Sequence, residues 1–308
     1  MAEKAPVAPR IPLLPALTLR QVQYFVVLAH ARSFTLAAQS LSISQPALTA
    51  AIRQIEFLLG GRLFDRSSHL LALTEAGTNV LPLAERLLNT ALGTFDDVAS
   101  LLAEGVQTVR IGLIPSAADW LMPRLKTLRA QQPGLVFRLS DMSNTALIEA
   151  VQSRRVDVGI GVKDAQALRH DLVFEDLFED DIVVVVHAKD PLARHKKVAW
   201  AQLAGQALAV FAHGNVSETL AQAGTALGLQ LRPSFQMDYV EPIHALVRNQ
   251  MALAIMPRLY TLNLHDPVLV TLGLTQPHVT RTISMLSAAM EDRSPQVAAC
   301  RAWISRQV

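Results

Sequence analysis

The chain has 308 residues, of which 51% are hydrophobic and 18% charged, so we expect two or three folded domains and exclude a disordered chain. A net charge of +2 argues neither for nor against nucleic acid, and the single cysteine, Cys300, excludes an internal disulfide and a thiolate zinc site. No run approaches the ~18 apolar residues of a membrane-spanning helix. Four prolines interrupt residues 1–16, which excludes a signal peptide, so we expect a cytoplasmic protein without membrane contact.

The N-terminal residues 1–16 are Pro-rich, and we predict a flexible tail there. The first predicted domain, residues 17–73, opens with Thr18 and Gln21, which have the spacing of a capping box at the start of a helix. The apolar residues of this helix recur every three or four positions. This spacing predicts one buried side, made of Leu19, Val22, Phe25, Val26 and Ala29.

Two short helices joined by a tight turn at residues 42–44 follow the first helix. Ser33 is placed to cap one helix, and Ser44 is placed to cap the next, whose first turn contains Pro46. The second helix has an apolar stripe made of Leu48, Ile52, Ile55 and Leu59. Gly60 and Gly61 end it, because glycine takes the left-handed conformation that a helix C-terminus needs. This arrangement predicts a helix-turn-helix.

The side of the second helix opposite the apolar stripe carries small and polar residues. A helical wheel assigns to this side and to the exposed first turn Gln45, Pro46, Thr49, Ala50 and Arg53. In a helix-turn-helix such a face enters the major groove of DNA. An amphipathic helix pair is also common inside ordinary protein cores, so the pattern alone leaves both interpretations open.

A wing is predicted next to this helix pair. Two apolar segments flank residues 67–69, which predicts a small β-hairpin within residues 63–73 and places Arg66 and His69 beside a phosphate backbone. Residues 17–70 carry five arginines and two carboxylates, a net charge of +3 and therefore only a weak basic footprint. Affinity for DNA would consequently depend on having two or more such modules in one assembly.

The same segment resembles the signature of LysR-type transcriptional regulators. The matching positions are Ser33-Phe34, Ala37-Ala38, Leu41, Ser44–Thr49, Ile52, Ile55-Glu56, Leu59-Gly60, Leu63-Phe64, Arg66 and Leu73–Gly77. The resemblance implies an N-terminal winged helix-turn-helix, a long linker helix and an α/β two-lobed effector-binding domain that resembles periplasmic binding proteins. It implies contact with double-stranded promoter DNA by Ser33, Ser44, Gln45, Pro46, Thr49, Ala50, Arg53, Arg66 and His69. Ala50 and His69 depart from the basic residues that many members carry there.

A long helix is predicted over residues 74–105, with Thr74 as its cap. Apolar residues recur along it at spacings of three and four, and they are Leu81, Ala84, Leu88, Ala91, Phe95, Val98 and Leu102. This seam predicts a homodimer through the linker helix, and the resemblance further implies a homotetramer. The alternative is a helix packed on its own domain. Pro82 lies inside the seam and should bend the helix.

Residues 106–308 change to short apolar runs that alternate with amphipathic helices, which is typical of βαβ units. We predict a first lobe of residues 108–181 and 286–308, and a second lobe of residues 182–285. The segment 268–272 is predicted as a strand that returns to the first lobe, and the acidic run Glu179–Asp181 as a solvated turn. A small molecule would then bind between the lobes.

Ligands of open parallel sheets bind at the carboxyl ends of the strands. This rule selects as candidate effector contacts Ser116, Ser143, Asn144, Gly161, Val162, Phe211, His213, Tyr239, Glu241 and Met256. Ser116 precedes a helix, so its hydroxyl and the free N–H groups there could hold a carboxylate. Simple helix capping explains Ser116 equally well and Asn144 slightly better than ligand contact does. A residue such as His213 is more often an ordinary loop histidine.

A reaction centre is not found in the sequence. Nucleophile-elbow, phosphate-loop and paired-histidine zinc motifs are all missing, so we expect neither enzymatic activity nor a metal or other cofactor. The alternative function is a small-molecule-binding or enzymatic α/β protein whose N-terminal helices only mediate association. It accounts for residues 108–308 equally well but leaves the pattern between Ser33 and Gly77 unexplained.

Overall fold

A computed structural model describes residues 17–65, 71–102, 107–163, 172–214, 216–288 and 295–306. The chain divides into two compact units, Met1–Gly93 and Thr94–Val308. The predicted tail lies outside the described residues, as do Arg66 and His69 of the predicted wing. Within the described ranges, the helices are all too short or too polar to cross a membrane.

Three short helices, a two-stranded hairpin and the start of a long helix form the first unit. Their bounds are α1 Leu19–Ala31, α2 Phe34–Ser40, α3 Gln45–Leu59, β1 Phe64–Asp65, β2 Ala72–Leu73 and α4 Glu75–Leu102. The predicted caps are confirmed: Thr18 forms a capping box, and the hydroxyls of Ser33 and Ser44 each accept a backbone N–H of the helix that follows. Gly60 ends α3 with a left-handed φ of 71°.

The core of the first unit consists of apolar side chains. Ile52 of α3 is fully buried, and the ring of Phe25 packs edge-on against Phe64 with the ring centroids 5.6 Å apart. Two residues predicted to be buried, Leu19 and Leu59, are exposed instead. They are the first residue of α1 and the last of α3, where the chain turns away from the core.

The long helix α4 begins close to the hairpin. Its predicted cap is confirmed, because Oγ1 of Thr74 accepts a hydrogen bond from the N–H of Gly77 at 3.0 Å. Gly77 permits a close approach of the two segments, since a Cβ atom there would lie 2.1 Å from the carbonyl oxygen of Leu63. Pro82 lies inside the helix, at the position where the sequence predicts a bend.

The predicted seam of α4 divides into two parts. Ala84 is buried in the core of the first unit, and Leu81 and Leu88 pack against that core. The buried Ala84 therefore faces its own unit, because a spacing of three and four does not distinguish a partner from the helix's own domain, whereas Leu81 and Leu88 are only half-buried. Phe95 and Leu102, in the second half of the seam, are exposed.

The second unit is an α/β structure of two lobes that share one long strand, β6 Leu172–His187. The bounds of the other elements are β3 Gln107–Leu113, α5 Ala118–Gln131, β4 Leu135–Asp141, α6 Asn144–Gln152, β5 Val158–Val162, β7 Lys197–Ala199, β8 Leu208–Phe211, α7 Val216–Leu227, β9 Phe235–Met237, α8 Val240–Arg248, β10 Leu253–Pro257, β11 Leu269–Thr275, β12 Thr280–Ala288 and α9 Pro295–Arg306. The predicted α/β fold class is confirmed.

Each lobe has its own section of sheet. The first lobe has the strand order β4-β3-β5-β12-β6, with β3 parallel to β4 and β5, and β12 antiparallel to β5 and β6. In the second lobe β6 lies between β11 and β10, β8 and β9 continue beyond β10, and β7 pairs with β11. Strands such as β5 and β10 are almost continuously apolar, as expected for strands covered on both faces.

The chain crosses between the lobes at two adjacent points. In β6, Asp181 pairs with Thr280 of the first-lobe sheet, whereas Ile182 pairs with Pro257 of the second. The crossing predicted at residues 181/182 therefore agrees with the strand pairing. The return, predicted at about residues 285/286, comes earlier, because β12 pairs with β6 from its first residue, Thr280, so residues 280–285 belong to the first lobe.

Two further predictions for this unit fail. The segment 268–272, predicted to return to the first lobe, falls mainly in β11, which pairs with β6 in the second lobe. The acidic run Glu179–Asp181, predicted as a solvated turn, lies inside β6, and the Asp180 residue is only 3% exposed. Basic partners far along the chain make this burial tolerable, and the local sequence does not reveal them.

Candidate DNA-reading face and effector cleft

The outer face of α3 is open in the first unit. Exposed on it are Gln45, Pro46, Ala50 and Arg53, and Thr49 is half-buried beside them. The Oγ1 atom of Thr49 donates to the carbonyl oxygen of Gln45 at 3.0 Å, so this hydroxyl is already used within the helix. Gln45 and Arg53 remain as long side chains that can reach base edges, while Pro46 and Ala50 leave room for close approach.

Ser33 and Ser44 have capping roles. Oγ of Ser33 accepts from the N–H of Leu36, and Oγ of Ser44 accepts from the N–H of Ala47, each at 3.4 Å. Ser44 is exposed at the start of α3, whereas Ser33 is half-buried at the start of α2. Both serines therefore position the helices, and Ser44 lies at the exposed start of α3.

In the first lobe, Ser116 lies in a short 3-10 turn directly after β3 and is buried. Its side chain does not cap the following helix, because the N-cap of α5 is Ala117. Instead, Oγ of Ser116 accepts a hydrogen bond from Nη2 of Arg281 at 2.8 Å. The sequence places Ser116 correctly at the end of the strand but does not reveal this partner.

Arg281 is a residue that the sequence interpretation misses. Its Nε and Nη2 lie 2.9 and 2.8 Å from Oδ2 of Asp180, whose other oxygen accepts the N–H of Leu259 at 3.0 Å. Burial raises the pKa of the Asp180 carboxyl above its ordinary value, and the guanidinium of Arg281 opposes this shift. The two charged groups form a buried pair next to the crossing strands, and Ser116 extends it by its hydrogen bond to Arg281.

Phe211 and Tyr260 form an aromatic pair in the second lobe. Their rings stack with centroids 4.7 Å apart and an interplanar angle of 27°. Burial raises the pKa of the Tyr260 phenol, and the positive charge of Arg281 acts against that shift. The short turn that carries Tyr260, Arg258–Thr261, lies against the turn that carries Ser116. A stacked aromatic pair, a guanidinium and a serine hydroxyl therefore lie on neighbouring segments of the two lobes.

Several other predicted effector contacts are occupied by structural hydrogen bonds. Ser143 caps α6, and the side-chain amide of Asn144 bonds both the N–H and the carbonyl oxygen of Val162, at 2.8 and 3.0 Å. Gly161 is buried beside this amide, because a Cβ atom there would lie 2.6 Å from Oδ1 of Asn144. These residues hold the end of β5 in position. Met256 is fully buried in a core cluster of the second lobe.

The remaining predicted contacts lie on the surface. His213 is exposed, with Nε2 3.5 Å from Asp238, and Tyr239 is also exposed. Glu241 accepts a hydrogen bond from Arg248 at 2.7 Å, which lowers the pKa of the Glu241 carboxyl. The structure therefore brings together Ser116 and Phe211, through Arg281 and Tyr260, and does not bring these surface residues to the same point. In the described residues there is no cluster of three metal-ligating side chains.

Two family profiles match the chain. One, described as "Bacterial regulatory helix-turn-helix protein, lysR family", matches residues 19–78, and the other, "LysR substrate binding domain", matches residues 103–308. A helix-turn-helix joined to an effector-binding domain defines a ligand-responsive transcriptional regulator. Because the second match alone covers more than half of the sequence, the chain belongs to the LysR family of such regulators.

Individual relatives agree with this. The Hca operon transcriptional activator HcaR of Escherichia coli K12 is 34% identical over 193 residues, which are 61% of this chain and 62% of that protein. A probable nitrogen assimilation transcriptional activator of Synechococcus elongatus is 26% identical over 273 residues, covering 87% and 88% of the two chains. The crystal structure of CbnR, a LysR family regulator, has a TM-score of 0.69 at 21% identity over 94% of this chain and 99% of that chain, which supports the fold.

Proposed function

We propose that the outer face of α3 reads promoter DNA and that a small anionic effector, bound between the lobes of the second unit, changes how the protein holds that DNA. The observation that carries the first part is the exposure of Gln45 and Arg53 on the side of α3 opposite its buried stripe. A ligand switches such a protein only if it binds two arrangements with different affinities.

Arg53 gives the direct test of DNA reading. Its guanidinium can donate to two acceptors on guanine, so we expect Arg53→Ala to weaken specific operator binding by ~1–3 kcal/mol in gel-shift titrations. Arg86→Ala, which removes an exposed arginine from α4, is the control and should bind as the wild type does. Equal titrations for Arg53→Ala and wild type would remove Arg53 from the reading face. Contacts from Ser33, Ser44, Arg66 and His69 remain part of the proposal.

For the effector we propose a carboxylate that meets Ser116 and Arg281. Among the described residues, the hydrogen bonds of Arg281 use only Nε and Nη2, which leaves Nη1 for a ligand. Organic acids, amino acids and aromatic carboxylates should be screened by thermal shift, because a ligand specific for the folded state raises its stability. Ser116→Trp should bind the operator but lose the shift given by the best acid, and an unchanged shift would exclude this position.

We also propose a homodimer through the second half of α4, and a homotetramer built from two such dimers. The support is the exposure of Phe95, Val98 and Leu102 at the seam positions of the helix. Phe95→Asp should produce monomers in sedimentation experiments and weaken operator binding, since one reading head neutralises few phosphates. A dimer that persists in this variant would move the interface elsewhere.

The protein would act in the cytoplasm, where it reaches promoter DNA, and without enzymatic activity. The alternative, a metabolite-binding or enzymatic protein with an association module, has no support from the helix-turn-helix match over residues 19–78. Recovery of genomic fragments bound to the purified protein separates the two functions. Enrichment of a short palindromic sequence supports the regulator, and the absence of enrichment at low salt supports the alternative.

A further inference from the structure

Phe57 stands out on the surface of the first unit. It lies in the last turn of α3 and is 80% exposed. Single exposed apolar residues are common in proteins, so exposure alone says little. The position of Phe57 on its helix is the more informative observation.

Phe57 continues the proposed reading face. It follows Arg53 by four residues and Ala50 by seven, and residues at these spacings lie on the same side of a helix. The buried residues Leu48 and Ile52 point to the opposite side. A duplex lying against Ala50 and Arg53 would therefore extend toward Phe57.

Beside the polar Gln45 and Thr49, the reading face carries several apolar side chains. Pro46, Ala50 and Phe57 are all exposed on it, and Arg53 is its charged member. The base edges in the major groove carry one apolar group, the C5-methyl of thymine, and side chains such as alanine and phenylalanine recognise it by direct contact. The apolar side chains of this face therefore fit a groove that presents methyl groups.

The sizes of the side chains suit a helix that enters the groove by its N-terminus. Pro46 and Ala50 are small and lie where the helix comes nearest to the bases. Phe57 lies about 10 Å further along the axis than Ala50, at 1.5 Å per residue, a distance of about three base pairs. Its longer side chain can bridge the greater gap at that end.

We propose that Phe57 is a specificity-determining residue that contacts a thymine methyl group, about three base pairs from the position that Ala50 meets. This rests on the proposed function, in which the outer face of α3 lies in the major groove. The contact would favour thymine over cytosine at one defined position of each half-site, although no hydrogen bond reads that position.

The test replaces thymine by uracil, which removes the methyl group and leaves base pairing intact. After the operator has been identified by selection, each thymine is replaced in turn, and affinity is measured for wild type and Phe57→Ala. At one position the wild type should lose about three- to fivefold in affinity, the value of one buried methyl group. Phe57→Ala should bind the two operators equally there, and Phe57→Leu should retain the preference for thymine.

Leu58→Ala is the matched control. Leu58 is 36% exposed on the same helix but lies about 100° around the axis from Phe57, so its variant should keep the wild-type response to uracil. If the wild type protects no DNA, the proposed function itself fails. If the wild type binds but its response to uracil is the same in Phe57→Ala, the methyl contact is excluded. A Phe57→Ala variant that binds normally and loses only transcriptional output would assign Phe57 to a protein partner and overturn the proposal.

Discussion

The two units differ in what they bury. Among the described residues, every buried side chain of the first unit is apolar, whereas the second unit also buries Ser116, Asp180, His187, His244, Ser284 and Ser287. An apolar core is sufficient for a unit that presents a fixed face to DNA. A unit that receives a small polar ligand needs polar groups in its interior. Each of these groups must have a hydrogen-bond or ion-pair partner, because an unpaired buried polar group destabilises the folded state.

This difference predicts different responses to mutation. In an apolar core the loss of stability grows with the number of buried atoms removed. In a buried ion pair the loss is abrupt, because removal of one partner leaves the other charge without compensation. All three tryptophans, Trp120, Trp200 and Trp303, lie in the second unit, so tryptophan fluorescence reports the unfolding of that unit within the intact chain.

The largest expected effect is that of Arg281→Ala. This variant leaves the Asp180 carboxylate buried without its cation, so the free energy of unfolding of the second unit should fall by about 3–5 kcal/mol. Urea titration followed by tryptophan fluorescence measures it. The double variant Asp180→Leu/Arg281→Met should recover most of the loss. If Arg281→Ala is as stable as the wild type, removing one partner of the buried ion pair causes no abrupt loss of stability, and the contrast with the apolar core fails.

Ile52→Ala tests the apolar core of the first unit. Ile52 is fully buried, and its truncation should lower the stability of that unit by about 3 kcal/mol through lost burial and a cavity. Hydrogen exchange of the α1–α3 amides measures this, while the fluorescence transition of the second unit should not move. A shift of both transitions would show that the two units unfold together.

Ser44→Ala should have a smaller effect. It removes the side-chain cap of α3, which is expected to cost about 1 kcal/mol in the stability of the first unit. Faster exchange at the amides of Ala47 and its neighbours is the readout, and Ser44→Asp, which keeps a capping oxygen, is the control. Exchange rates equal to those of the wild type would mean that the Ser44 hydrogen bond adds no stability.

The smallest effect concerns pH. Burial lowers the pKa of His244 below its ordinary value of 6.5, although Glu241 and Asp266 favour the charged form and Arg248 opposes it. The unfolded chain therefore binds a proton at higher pH than the folded chain does. The free energy of unfolding should fall as the pH decreases below about 6.5. His244→Leu should reduce this slope in fluorescence-detected urea titrations at pH 7.5 and 5.5, and an equal slope would contradict the prediction.

Local signals made much of the first unit predictable. The caps at Thr18, Ser33 and Ser44 and the glycine at position 60 act within a few residues, so the sequence locates the helix ends. The misses depend on distant partners. In the sequence, Asp180 and Asp181 have the pattern of solvent-exposed acids. In the structure Asp181 pairs with Arg258, 77 residues away, and Asp180 pairs with Arg281, 101 residues away.

The same distinction explains the remaining errors at the candidate site. The strand pattern predicts where Ser116 and Phe211 lie, because strand ends follow from apolar runs. It does not predict that Asn144 uses its amide to hold Val162, or that Ala84 faces its own domain, since neither contact has a local signature. The sequence does not reveal Arg281, because its partner Asp180 comes next to it only once β12 lies beside β6.

Strand β6 has a mechanical consequence. It passes from one lobe to the other without interruption, and the return segment runs beside it, with the N–H of Ile182 bonded to the carbonyl oxygen of Val279 at 3.0 Å. A two-stranded ribbon resists splaying because that would break its ladder, but it tolerates additional twist. The two lobes should therefore move by rotating relative to each other about the axis of these strands, and not by a hinge motion that opens them.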